Sequence, residues 1–234
     1  MRWRLGMRVA APALESGNPE HIARFYDARV TECRFLSDPT HYEHPRARWV
    51  VDRVSGGSLL EVGCGDGGMT VQLAPRVDTL LALDVSRPSL AALEQLQLAN
   101  VRTVHGMVET FESEQRFDRV VMSEVVEHLP HPRAAVAASL RFLGPGGRLL
   151  VTTPHGHWES DEHLHEFSFS SFLDLFRVPE VERLEVGYIR DRENRRRWLY
   201  AVAERAKTPP ATDDFFSPIA MRRRRSGAEE DPRA

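Results

Sequence analysis

The segment LLEVGCGDGGMT, Leu59 to Thr70, constrains this chain more than any other stretch. An apolar run ends in Gly63, Gly65 and Gly68, which satisfy G-x-G-x-x-G, and residues compatible with a helix follow. Glycines at this spacing let the backbone turn tightly out of a strand. They also let a ligand approach bare amides at a helix N-terminus. The next apolar run closes on Asp84, 19 residues past Gly65, where a carboxylate is placed to take the two hydroxyls of a ribose. Strand, glycine turn, helix and acid together indicate an adenosyl ligand. By themselves they do not separate a dinucleotide from another adenosine derivative.

The charges around the loop narrow the choice. Glu61 precedes the first glycine by two, and Asp66 lies inside the loop. Carboxylates there would repel a pyrophosphate but suit a ligand bearing an ammonium and a sulfonium. Lys207 is the only lysine, leaving 30 of the 31 cationic side chains as arginine. The Tyr-x-x-x-Lys pair of short-chain dehydrogenases is therefore excluded. A formal charge of −3 argues against coating nucleic acid by charge alone. No apolar run approaches the roughly 18 residues of a membrane span, and Arg8 interrupts the only apolar patch of the basic start. Cys33 and Cys64 make no disulfide framework, so a cytoplasmic setting is expected.

Between two expected tails, residues 1–17 and 207–234, apolar runs alternate with helical patterns. Strands are predicted at Ser58–Val62, Thr79–Asp84, Val101–His105, Phe117–Met122 and Arg148–Thr152. Helices are predicted at Pro19–Leu36, Pro45–Val54, Gly68–Ala74, Pro88–Leu98, Pro132–Leu143 and Ser168–Phe176. Alternation of this kind gives an α/β sheet wound by right-handed crossovers. Arg183–Arg190 and Trp198–Glu204 read as a closing antiparallel hairpin, and residues 18–55 as a helical lid over a domain at 56–206.

The segments LLEVGCGDGG, LLALDVS, RFDRVVMSEVVEHL and LGPGGRLLVTTP occur in an order and spacing that resemble the class I S-adenosylmethionine-dependent methyltransferases. The resemblance covers residues 45 to 205 or so. It implies a Rossmann-like, seven-stranded, mostly parallel sheet with S-adenosylmethionine over its C-terminal edge. Gly63, Cys64, Gly65, Asp66 and Gly67 would then line the methionine part, with Glu61 beneath. Asp84 would take the ribose, Val85 and the backbone of Val108 the adenine, and Ser123 and Glu124 the methyl end. One position departs from the family: Met107 stands where an acidic residue usually meets the adenine amine.

After the fourth strand the chain reads Ser123-Glu124-Val125-Val126-Glu127-His128. On a helix, Glu124, Glu127 and His128 share one face. A second stretch, from His155 to Phe167, carries His157, His163 and His165. In one reading His128 or His165 is a general base for a hydroxyl. In another, Glu124, Glu127, His128 and His165 bind a divalent metal, as the similar E-x-x-E-H of small-RNA 3′-terminal ribose 2′-O-methyltransferases implies. His155 and Leu164 depart from that family's pattern. A third reading is plain pocket lining. The expected acceptor is a small molecule methylated on a hydroxyl; RNA, and a non-catalytic cofactor-binding subunit, are the alternatives.

Overall fold

The computed structural model describes residues 17–29, 36–206 and 220–221. The lone lysine, Cys33, Phe35 and the Arg222–Arg225 run lie outside them, as does most of both expected tails. Fourteen elements follow in order: α1 (Pro19–Asp27), α2 (His44–Val51), β1 (Ser58–Val62), α3 (Thr70–Leu73), β2 (Thr79–Asp84), α4 (Arg87–Glu94), β3 (Val101–His105), β4 (Phe117–Ser123), α5 (Pro132–Arg141), β5 (Leu143–Pro154), α6 (Phe169–Asp174), β6 (Val181–Arg190), β7 (Arg196–Arg205) and β8 (Ala220–Met221).

The sheet order is β3-β2-β1-β4-β5-β7-β6-β8. Strands β3 to β5 pair in parallel, and β7 runs antiparallel to both β5 and β6. This is the seven-stranded arrangement the motifs imply, with the closing hairpin in place. The eighth strand was not expected. Two residues from the presumed tail pair in parallel with Arg183 and Leu184, on the outer edge of β6 where backbone groups face no other strand.

Alternation along β1 divides the core. Leu60 and Val62 face one side with Phe117, Val136, Leu140, Phe172 and Phe176. Leu59 faces the other side with Val50, Leu73, Leu90 and Leu93. Glu61 follows Leu59 onto this second side, which buries a carboxylate under the glycine loop.

Several helices stop short of their predicted ends, each for a local reason. The helix after the loop covers only Thr70–Leu73 and continues as a 3₁₀ turn through Pro75. Helix α4 stops at Glu94, and Gln97 takes a left-handed φ of 51°. Strand β5 starts at Leu143 rather than Arg148: Leu143 pairs with Phe117, and a register shift absorbs the glycine-rich turn before Arg148 pairs with Arg119. Helix α1 ends at Asp27, so the lid's first helix is shorter than the amphipathic pattern suggested. No helix among the described residues is long and apolar enough to cross a membrane.

Leu60 is fully buried at the centre of the sheet. Leu60→Ala is expected to lower unfolding free energy by about 2–5 kcal/mol, read from urea denaturation curves at unchanged m. A loss below about 1 kcal/mol would show that the core repacks around the cavity.

Candidate active site

The C-terminal ends of β1, β2 and β4 open onto two adjoining cavities. The first, of about 250 Å³, is lined by Gly63, Gly65, Asp66, Asp84, Val85, Met107 and Val108 among others. The second, of about 390 Å³, is lined by Glu61, Cys64, Ser123, Glu124, Glu127, His128 and His163, with Tyr42 and Trp158. They share Val62, Gly63, Gly65, Glu124, His128 and Glu162. Nearly every cofactor residue expected from the sequence faces one or the other.

The turn out of β1 needs its glycines. Gly63 has φ +71°, and a Cβ there would lie 2.5 Å from Val125 Cγ2. Gly67, at φ +95°, would strike Leu93 of α4 at 2.6 Å. Gly67 therefore serves the packing of loop on helix and lines neither cavity, whereas Gly68, the last glycine of the sequence pattern, does not have a left-handed φ. Asp84 holds the loop from the other side: Oδ2 accepts from Gly65 N at 2.8 Å and Oδ1 from Ser86 N at 2.8 Å. Burial raises its pKa, against the lowering effect of these amides.

Glu61 is buried and accepts from Thr70 Oγ1 at 2.7 Å. Desolvation pushes its pKa up to about 8. Cys64 is buried beside it, and burial pushes its thiol up as well, so it behaves as a packing residue. In the first cavity Glu109 Oε2 and the Tyr26 hydroxyl are buried without a hydrogen-bond partner among the described residues. Burial raises both groups' pKa values. Neither residue stood out in the sequence. Glu109 follows Met107 by two, close to where the family places its acid, and that proximity was the available signal. Tyr26 gave none beyond its place in an amphipathic helix.

At the junction of the cavities the expected helix is absent. Glu124 has φ +58° and precedes a single 3₁₀ turn, Val126–His128. A non-glycine residue in the left-handed region costs on the order of 1 kcal/mol and is held by its surroundings. Here Glu124 N donates to Thr152 O at 3.0 Å, Glu124 Oε1 accepts from Thr152 Oγ1 at 3.1 Å, and Arg46 Nε lies 3.7 Å from Oε2. Arg46, buried on α2, also binds Glu43 at 2.6 Å and donates to Ser123 Oγ at 2.6 Å. Burial outweighs Arg46 and raises the Glu124 pKa to about 8.

Glu127 is 1% exposed. Its Oε2 accepts from Thr153 Oγ1 at 3.0 Å, and burial raises its pKa to about 7. His128 Nδ1 lies 3.1 Å from the Glu162 carbonyl, and burial lowers the pKa of the ring. His165 does not join this group. Its Nε2 lies 2.9 Å from the Leu129 carbonyl and it lines neither cavity, so its predicted catalytic or metal role has no geometric basis. The loop that carries it hydrogen-bonds back to Glu127 O through Leu164 N and His165 N, which turns His163 inward instead. Ligand atoms of Glu127, His128 and His163 lie within 4.8 Å of one another. The four-residue metal set read from the sequence is replaced by this three-residue one.

A family model described as a methyltransferase domain matches residues 33–201. The chain belongs to this methyltransferase family. The ubiquinone biosynthesis O-methyltransferase of Pseudomonas fluorescens (strain SBW25) is 31% identical over 123 residues, 49% of this chain and 53% of that protein. The same enzyme of Pseudomonas entomophila (strain L48) is 32% identical over the same shares. The chain thus spans about half the length of these curated relatives. Among solved structures, the N-methyltransferase NodS of Bradyrhizobium japonicum WM9 with S-adenosyl-L-homocysteine aligns at TM-score 0.65 and 18% identity, over 79% of this chain and 98% of that one. The DhpI–SAH complex aligns at TM-score 0.61 and 18% identity, over 85% and 100%. The fold is therefore that of the Rossmann-like methyltransferases.

Two outcomes are expected. Asp84→Asn should weaken S-adenosylhomocysteine binding by about tenfold or more in calorimetry, the scale of a lost charge-assisted hydrogen bond. Glu61 has a folded pKa above its unfolded value of 4.5, so its contribution to stability is present at low pH and is lost as pH rises towards about 8. Glu61→Gln should consequently flatten the fall in Tm of the ligand-free chain between about pH 4.5 and pH 8, measured against the parent chain.

Proposed function

We propose that this methyltransferase moves the methyl group of S-adenosylmethionine onto a hydroxyl of a small molecule held in the second cavity, with His128 as general base. The observation that carries the reading is the place of His128: it lines both cavities and its Nδ1 is tied to a backbone carbonyl. A carbonyl can only accept, so Nδ1 carries the hydrogen and the Nε2 lone pair is left to take a proton. Burial keeps the ring neutral and ready to do so.

Bound S-adenosylmethionine supplies a methyl group already activated on a sulfonium. The chain's own residues then do the positioning. Asp84 anchors the ribose end and bare backbone at Gly63 and Gly65 admits the chain leading to sulfur. Glu61, Asp66 and Glu124 balance the donor's positive groups. The acceptor oxygen attacks the methyl carbon in line as its proton passes to His128 Nε2; the C–O bond forms while the C–S bond breaks, leaving a neutral thioether. Orientation of this kind is worth about 7–11 kcal/mol in good cases. The O-methyltransferase names of the curated relatives support a hydroxyl as the acceptor.

One geometric feature favours a second reading. A divalent ion held by Glu127, His128 and His163 would polarise an acceptor hydroxyl, including the ribose end of an RNA, without a free base. His128→Ala separates these from a non-catalytic subunit. Under the first reading, label transfer to a phenol panel should fall about 10²- to 10⁴-fold, with S-adenosylhomocysteine affinity within about threefold of the parent. Full activity in that variant would remove His128 from the mechanism. Loss of parental activity with EDTA, restored by Mn²⁺, would select the metal reading, and a parent chain that binds the donor but labels neither phenols nor RNA would select the non-catalytic one.

A further inference from the structure

The second cavity gathers more carboxyl groups than its own basic side chains can pair with. Glu43, Glu61, Glu124, Glu127, Glu159 and Glu162 line it, against Arg46 as its one arginine or lysine among the described residues. Arg46 is engaged by Glu43 and Glu124, and Arg29 reaches Glu162 at 3.3 Å from outside. Glu127 makes no ion pair with an arginine among the described residues, Arg46 acting on it only at a distance. It is 1% exposed, and its Oε1 makes no hydrogen bond. His128 Nε2 lies 3.8 Å from that oxygen, too far for a hydrogen bond. A carboxylate oxygen buried in this way is costly unless something arrives to meet it. S-adenosylmethionine brings only a single net positive charge, from its ammonium and sulfonium less its carboxylate.

The mouth of the cavity points the same way. Tyr42, half exposed, stacks against Trp158 with ring centroids 6.4 Å apart at 25°. The Trp158 ring already carries a cation, the Arg197 guanidinium, 4.3 Å from its centroid. Aromatic faces beside carboxylates favour cations over neutral or anionic groups.

We infer that the acceptor bears a positively charged nitrogen, an ammonium or guanidinium, held by Glu127 and the neighbouring carboxylates while a hydroxyl of the same molecule faces His128. This rests on the methyltransferase reading above and specifies its substrate class. Anionic acceptors are repelled by the same side chains, and neutral ones leave Glu127 Oε1 unmet.

A charge series of near-constant shape tests it. The full chain is first titrated with S-adenosylhomocysteine, then, saturated with it, with tyramine, 4-ethylphenol and 4-hydroxyphenylacetate. Tyramine is expected to bind about tenfold tighter than 4-ethylphenol, the scale of one desolvated charge pair, with the anion weakest. In Glu127→Gln that advantage should shrink at least about threefold while 4-ethylphenol affinity holds. The parental series decides alone if this variant does not fold. Equal affinities, a preference for the neutral or anionic probe, no tyramine binding at millimolar concentration, or an advantage abolished by EDTA overturns the inference. A chain that binds no S-adenosylhomocysteine fails at the underlying reading instead; one that binds it without charge preference fails here only.

Discussion

Parallel pairing of β1 with β2 on one side and β4 on the other brings Val62 level with Leu83 and with Met122. The three strands consequently end in step, and their next residues, Gly63, Asp84 and Ser123, meet at one edge of the sheet. Register along parallel strands is fixed by which side chains face the two cores. Slipping β1 by one residue would send Glu61 into the Leu60 side and Leu60 under the loop. The hydrophobic division on the two faces thus positions the polar edge, although no apolar core residue performs chemistry.

That edge concentrates carboxylates in low-dielectric surroundings. Glu61, Glu124 and Glu127 all have pKa values pushed up by burial, with Arg46 the nearby counterweight to the last two. An apo site built this way is poorly satisfied, and ligands that bring positive charge relieve it. The same feature would weaken a site for pyrophosphate, which is why Glu61 and Asp66 were informative in the sequence. Affinity for a cationic ligand and destabilisation of the empty protein would follow from one arrangement.

The sheet was legible because its strands are short apolar runs punctuated by glycine and proline, and four motifs occur in order. The loop and Asp84 were legible because backbone geometry demands glycine there and a ribose demands an acid. His165 misled because spacing along the chain does not say which histidine a loop turns inward. Leu164 N and His165 N both bind Glu127 O, and that long-range contact presents His163. The helical face assumed for Glu124 to His128 also failed, since Glu124 adopts a left-handed φ that no residue pattern announces. Tyr26 and Arg46 were hidden for a third reason. Both come from helices that precede the motif-bearing domain, and only the fold brings them to the site.

Arg46 changes what the N-terminal helices are for. Helix α2 is not only a cover. Its buried guanidinium bonds Ser123 at the end of β4 and pairs with Glu124 at the strained turn. Withdrawing α2 would remove the guanidinium that sits beside Glu124 at φ +58°, so the turn and the helix stabilise each other. Helix α1 is tied at two points, through Asp27 to the backbone of Arg87 and, just beyond its end, through Arg29 to Asp161 and Glu162. Glu162 in turn fixes His128 through its carbonyl. The segment covering the first cavity is therefore connected, by two hydrogen-bonded steps, to the imidazole proposed to take the proton. The same contacts that hold α1 in place thus also fix the ring of His128.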